Sequence, residues 1–248
     1  MKPEAVIQHL VYWLRRKVGE AGAAGVVFGM SGGVDSAVVA VIAKKAFPNN
    51  CLALFLPCKS DINDRIHSQQ LAEEFDIPYK VVELDNAYNL LLTQFESYLK
   101  LEGHRGRLLR ANIKPRLRML TLYYSAQARN YLVLGTSNKS ELTVGYFTKY
   151  GDNAVDLQPL GDLLKREVYE LARYLQIPDA IIKKPPSGGL WLGQTDEEEM
   201  GVTYEQLDNY IACKEGDPGI ITKIEKMISA SEHKRQMPPI AIVPSEYR

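Results

Sequence analysis

Short apolar runs alternating with helix-period segments predict a three-layer α/β architecture, with helices on both faces of a parallel sheet of roughly five strands. Three observations carry this. The runs at 26–28, 52–56 and 131–134 are apolar throughout instead of alternating with polar residues, as strands buried on both faces require. Helical segments separate them, the order that parallel crossovers produce. Two runs, ending at Phe28 and Leu134, are each followed by a glycine that lets the chain leave the sheet in a tight turn.

The elements follow in order. Residues 1–18 read as a helix outside the alternation. Residues 26–28 form the first strand candidate and 37–46 its helix. Residues 52–56, closed by Pro57, are the second strand, and 62–75 have helical period. Residues 79–84 are the third strand, before two longer amphipathic helices at 86–98 and 113–129. Residues 131–134 make the fourth strand and 155–160 the fifth, before a helix at 165–175. Beyond about Pro178 the chain is helical and loop-rich, with Pro185-Pro186 and Gly188-Gly189 marking a break. No repeat or low-complexity segment interrupts residues 1–248, which read as one domain.

Composition narrows the function. Apolar residues make up 46% and charged residues 24%, which excludes a disordered, collagen-like or membrane-spanning chain. Lys plus Arg equals Asp plus Glu at 30 each, so nucleic acid and anionic membranes are not expected partners. The longest apolar run, residues 37–43, is far short of the ~20 a membrane helix needs. The first apolar stretch is broken by Gln8 and His9 and precedes the basic cluster Arg15-Arg16-Lys17, the reverse of a secretion signal. Cys51, Cys58 and Cys213 form no CxxC pair, and Cys51 and Cys58 flank an apolar run as buried thiols would; a cytoplasmic protein is expected.

In such sheets ligands bind beyond the carboxyl ends of the strands, where strand order reverses. The segment Gly29-Met30-Ser31-Gly32-Gly33-Val34-Asp35-Ser36 stands there, between a strand and a helix. Paired glycines let backbone amides approach an anion, and the helix dipole favours it. Ser31 and Ser36 add hydroxyls. Neither GxxxxGK[ST] nor GxGxxG is present, so this is not the loop of a kinase, a GTPase or a dinucleotide-binding dehydrogenase. Asp35 would repel bound phosphates unless a cation lay between them, and Mg2+ suits carboxylate and phosphate oxygens.

The string SGGVDS resembles the pyrophosphate loop of the ATP pyrophosphatase superfamily, whose members split ATP between the α- and β-phosphates. Further motifs follow at 112–119, 135–141, 145–152, 156–160, 186–191, 193–196 and 232–235, with Lys165 among them. In this order and spacing they resemble the short, ammonia-dependent NAD synthetases over nearly the whole chain. Two small departures are Gly189 and Pro115. The resemblance implies a Rossmann-like fold of the adenine nucleotide alpha hydrolase kind. It also implies a reaction: ATP-dependent amidation of deamido-NAD to NAD through an adenylate, with release of AMP and pyrophosphate.

Residue roles come with that resemblance. Gly29 to Ser36 hold ATP, joined by Thr136, Lys165 and Ser187. Asp35 and Glu141 are the Mg2+ carboxylates, one from each of two strand ends, which requires the first and fourth strands to be neighbours. Arg116, Lys149, Asp156, His233 and Lys234 match the deamido-NAD contacts. Lys165 stabilises charge as the α–β bond breaks. Asp152 is the candidate for attracting ammonium and taking its proton. A homodimer is implied, with the helices at 86–98 and 113–129 as the candidate contact. A chain filled by these motifs leaves no room for an amidase domain, so ammonia is the expected donor, free or delivered by a separate glutaminase.

Taken singly, Lys149 and Lys165 are ordinary surface charges, His233 an exposed helix-end residue and Glu141 a solvated carboxylate; only their joint order selects them. Two other readings stay open. A tRNA-modifying pyrophosphatase would bind RNA tightly and carry a cysteine near the loop. A non-catalytic nucleotide-binding module would lack the paired carboxylates.

Overall fold

A computed structural model describes residues 1–191 and 193–248. Strands β1 (Gly25–Gly29), β2 (Cys51–Phe55), β3 (Tyr79–Val81) and β4 (Tyr131–Leu134) pair in the order β3-β2-β1-β4, all parallel. Val26 sits between Cys51 and Leu132 in the register. The side-chain period of two sorts residues between two cores. Val26, Phe28, Cys51, Ala53 and Phe55 enter one, and Val27, Leu52 and Leu54 the other. Apolar character on both faces is thus what made these runs look unbroken in sequence.

The helices in chain order are α1 (Pro3–Glu20), α2 (Val34–Ala46), α3 (Ile62–Glu74), α4 (Asp85–Glu96), α5 (Gly103–Ala111), α6 (Ile113–Arg129), α7 (Lys139–Val144), α8 (Lys165–Tyr174), α9 (Asp179–Ile182), α10 (Asp196–Met200), α11 (Tyr204–Cys213) and α12 (Pro218–Arg235). Helices α1, α2, α3, α8 and α9 share one core, and α4 and α6 cover the opposite face. Helix α2 is buried nearly all round, which explains its seven-residue apolar run. Helices α7, α11 and α12 close around a third cluster containing Val144, Leu207 and Ile224.

The sheet has four strands among the described residues, where about five were expected. Residues 155–160 make a single parallel bridge, Leu134 to Leu157. Two features stop the ladder: the Asp156 side chain takes the Val133 amide at 2.7 Å, and Pro159 has no N–H to give. The third strand is shorter than expected, ending at Val81, although the amides of Val82 and Leu84 still reach the carbonyls of Phe55 and Pro57. Helix α5 was not anticipated. It stops at Asn112 because Pro115 cannot donate to the Ala111 carbonyl, so the chain restarts as α6. No described helix is long and apolar enough to cross a membrane.

Candidate active site

Crossovers leave β1 toward β2 on one side, and β4 lies on its other side, so the loop after β1 stands at the reversal of strand order. Gly33 caps α2 without any side-chain hydrogen bond, so the first-turn amides remain open to a ligand. Gly32 has φ +76°, and a Cβ there would lie 2.7 Å from the Asp64 carbonyl oxygen. Glycine is required by both conformation and space. The Ser36 hydroxyl accepts from the Ser31 amide (3.3 Å) and donates to the Gly33 carbonyl (2.9 Å), holding the loop in shape.

Pairing of β1 with β4 brings Asp35 beside Glu141, as the two-carboxylate expectation needs. Between them stands the Lys165 ammonium, 2.5 Å from Asp35 and 3.4 Å from Glu141. Lys165 is 2% exposed. Burial alone would pull its ammonium down, but Asp35 and Glu141 outweigh that and hold it above its ordinary range. Burial, then repulsion from Asp35, pushes Glu141 up to about 7.

The surrounding residues orient this cluster. Asn138 forms a capping box with Glu141 and donates from Nδ2 to Asp35 at 2.9 Å. The Tyr204 hydroxyl lies 3.1 Å from Glu141 and 2.9 Å from Asp196, and its ring lies 4.8 Å from the Lys165 ammonium. Asp208 of α11 takes the Arg166 amide (2.9 Å) and the Ser140 hydroxyl (2.5 Å), and that hydroxyl accepts the Lys165 amide (3.1 Å). So α11 fixes the first turn of α8, which carries Lys165. Sequence reasoning missed Asn138, Tyr204 and Asp208. The Asn-x-x-Glu spacing signals only the first.

A cavity of about 520 Å³ opens over the loop. Thr136, Asp152, Lys165, Ser187 and Lys234 line it together with the loop residues, Gly32 excepted. Asp152 accepts the Thr148 amide at 2.9 Å, and burial raises its carboxyl. Arg116, Lys149, Asp156 and His233 do not line this cavity. Three of them form a chain beside Lys234: Arg116 donates to the Lys149 carbonyl (3.2 Å), and Lys149 to the His233 carbonyl (2.6 Å). Asp156 is occupied by the Val133 amide and the Tyr123 hydroxyl (3.1 Å).

A parallel α/β sheet with an uncapped glycine loop at its switch point, and a lysine between two carboxylates at its mouth, defines an enzyme of the ATP pyrophosphatase kind. The NAD synthase family model matches residues 6–238. A relative from Syntrophomonas wolfei subsp. wolfei, an NH(3)-dependent NAD(+) synthetase, is 68% identical over 248 residues and is covered in full, as is this chain. Among solved structures, an NMN synthetase from Francisella tularensis superposes with a TM-score of 0.91 at 38% identity, covering 99% of both chains. The NH3-dependent NAD synthetase from Campylobacter jejuni gives 0.80 at 31%, covering 98% of this chain and all of that one. The chain belongs to the NAD synthase family, and it is a ligase.

Proposed function

We propose that this chain amidates the nicotinate carboxyl of deamido-NAD with ammonia at the expense of ATP, and that its residues divide the work as follows. One carboxylate oxygen attacks the α-phosphorus, the bond to the β-phosphate oxygen breaks, and pyrophosphate leaves. Ammonia then attacks the acyl carbon of the adenylate, AMP departs, and NAD remains. The amides from Gly29 to Ser36 hold the leaving pyrophosphate. Lys165 meets the charge that develops as the α–β bond breaks. Thr136 and Ser187 contribute hydroxyls to ATP. Asp152 attracts ammonium and takes its proton. Lys234, with Arg116, Lys149 and His233 beside it, supports the dinucleotide; Asp156 contributes by fixing β4.

The residues present fit Mg2+. Lys165 already marks a cation position between Asp35 and Glu141. No described group of three or more His, Cys, Asp or Glu forms an all-protein metal site, so Asp35 and Glu141 would share the ion with phosphate oxygens and water. Bound there, Mg2+ supplies positive charge to the polyphosphate.

The observation that carries this reading is the Asp35–Lys165–Glu141 cluster at the mouth of the uncapped loop. AMP release from ATP, dependent on both deamido-NAD and ammonium, is the test; substrate-independent release or ADP formation would overturn it. A second reading, a mononucleotide substrate giving NMN, draws on the 0.91 superposition with the NMN synthetase. Comparing kcat/KM for deamido-NAD and nicotinate mononucleotide decides between them. A homodimer is part of the proposal: Leu90 on α4 with Leu120 and Tyr124 on α6 are 65%, 62% and 77% exposed, an apolar face that a second copy would cover.

A further inference from the structure

Two cations on α6 have no role in the reaction as divided above. Lys114 is 4% exposed, and its ammonium donates to the Leu190 carbonyl at 2.7 Å. One turn on, half-buried Arg118 donates from Nε to the Leu56 carbonyl (3.1 Å) and from Nη2 to the Ser60 hydroxyl (3.2 Å). Among the described residues neither forms an ion pair, and Arg118 Nη1 makes no hydrogen bond. Charges withdrawn from water are ordinarily paired, because the unpaired state is costly. These two instead repel each other across a single helical turn. Burial draws both below their ordinary ranges, and Arg118 adds to the effect on Lys114.

Position gives the reason. The Leu56 carbonyl and Ser60 lie just beyond the carboxyl end of β2, beside the bond from the Met30 amide to the Leu54 carbonyl (3.0 Å). Arg118 lines the cavity there. Lys165 and Glu141 line it from the β4 side, so Arg118 and Lys165 stand on opposite flanks of the loop after β1. Asp64 and Asp152, which share the cavity wall, act on Arg118 from beyond ion-pair distance. Neighbouring Arg116 is different: exposed, off the cavity wall, with both terminal nitrogens on backbone carbonyls.

We propose that Arg118 is a substrate-binding residue of the reaction, its guanidinium holding an oxyanion on the β2 side of the loop, with Lys114 behind it. A guanidinium fixed through two of its nitrogens and free at the third suits a phosphoryl or carboxylate oxygen. The inference rests on the amidation reading, in which an α-phosphoryl group and a nicotinate carboxylate must meet in this cavity.

The test compares Arg118→Met, Arg118→Lys and Arg129→Met with the wild type. Steady-state AMP release is followed while ATP and deamido-NAD are varied separately, and each protein is also titrated calorimetrically with each ligand. Loss of one preorganised oxyanion contact lowers kcat/KM by about 100-fold in Arg118→Met, with Arg118→Lys recovering part and Arg129→Met, on the exposed end of the same helix and off the cavity wall, changing far less. An effect confined to the ATP parameters assigns the phosphoryl group, and one confined to deamido-NAD the carboxylate. Arg118→Met retaining kcat/KM within about 3-fold beside an active wild type overturns the inference and leaves the amidation reading intact. So does a loss that affects both ligands equally, falls with the melting temperature and is not relieved by lysine, since that is a packing role. If the wild type itself does not turn over, the amidation reading fails. The titrations then still decide for Arg118: weaker binding of either ligand by Arg118→Met supports it, and unchanged binding of both overturns it.

Discussion

The ammonium of Lys165 lies 2.5 Å from the carboxylate of Asp35, a residue 130 positions earlier in the chain. The contact joins the first turn of α8 to the first turn of α2, and Glu141 completes it from α7 at 3.4 Å. Two acids and one base, all largely withdrawn from solvent, balance only as a set.

Removing the lysine should therefore damage both stability and activity. Lys165→Met strands Asp35 and Glu141 without their cation; breaking such a buried pair costs about 3–5 kcal/mol. A second change, Glu141→Gln, relieves part of that stability loss but none of the activity loss. Thermal melts and AMP release on the two single mutants and the double mutant read the coupling. Strictly additive losses in melting temperature would show that the three groups do not act together.

This cluster also shows where sequence reading works. Asp35 and Glu141 each stand in a short local motif, and their pairing required the first and fourth strands to be neighbours, which the order β3-β2-β1-β4 satisfies. Their supports do not share that property. Tyr204 and Asp208 reach the site from α11, more than 60 residues beyond Glu141, with no local pattern to mark them. Arg118 and Arg116 look alike in the run from Asn112 to Met119, and only tertiary placement sends one to the cavity wall and leaves the other exposed and off it. Residues 155–160 read as a strand from their place in the alternation of segments, with Val155, Leu157 and Leu160 as apolar positions. The side chain of Asp156 and the ring of Pro159 end the ladder, and neither effect is visible in hydrophobicity.

Asp152 gives a pH-dependent prediction. Burial raises its folded-state pKa above 3.8, with the Thr148 amide only partly offsetting this. A raised acid keeps its proton in the folded state after the unfolded chain has lost it. Stability therefore falls as pH rises from about 3.8 through the folded pKa, and a constant penalty remains above that. Asp152→Asn should melt higher than the wild type at neutral pH, by about 2–4 °C for each kcal/mol relieved, with the gap closing toward pH 4. Amidation should fall by about 100-fold or more in the same variant if Asp152 takes the ammonium proton. A variant that amidates at the wild-type rate would remove Asp152 from the mechanism.

Gly32 tests the loop. At φ +76°, with the Asp64 carbonyl 2.7 Å from where a Cβ would stand, Gly32→Ala forces the loop away from α3. Backbone strain of this kind costs about 1–3 kcal/mol. ATP affinity should fall by about 10-fold or more as the amides lose their alignment, whereas Gly22→Ala, with φ +63° but no atom within 4 Å, should leave ATP binding unchanged. Isothermal titration with ATP distinguishes the two.

The apolar face of α4 and α6 yields the last prediction. Leu120 and Tyr124 are four residues apart on α6, so they lie on one stripe of the helix, and Leu90 is exposed on the neighbouring α4. None contributes to the two cores that hold the sheet. Their exposure is therefore not needed for folding, but it is costly in water unless covered. If a second copy covers them, Leu120→Glu combined with Tyr124→Glu places four like charges across a two-fold contact and shifts the protein to monomer in sedimentation velocity at micromolar concentration. The melting temperature of the separated chain should stay within about 5 °C of the wild type, because the substituted side chains already face solvent within one chain. A wild-type protein that sediments as a monomer at that concentration would refute the assembly, and a double variant that remains dimeric would place its contact on another face.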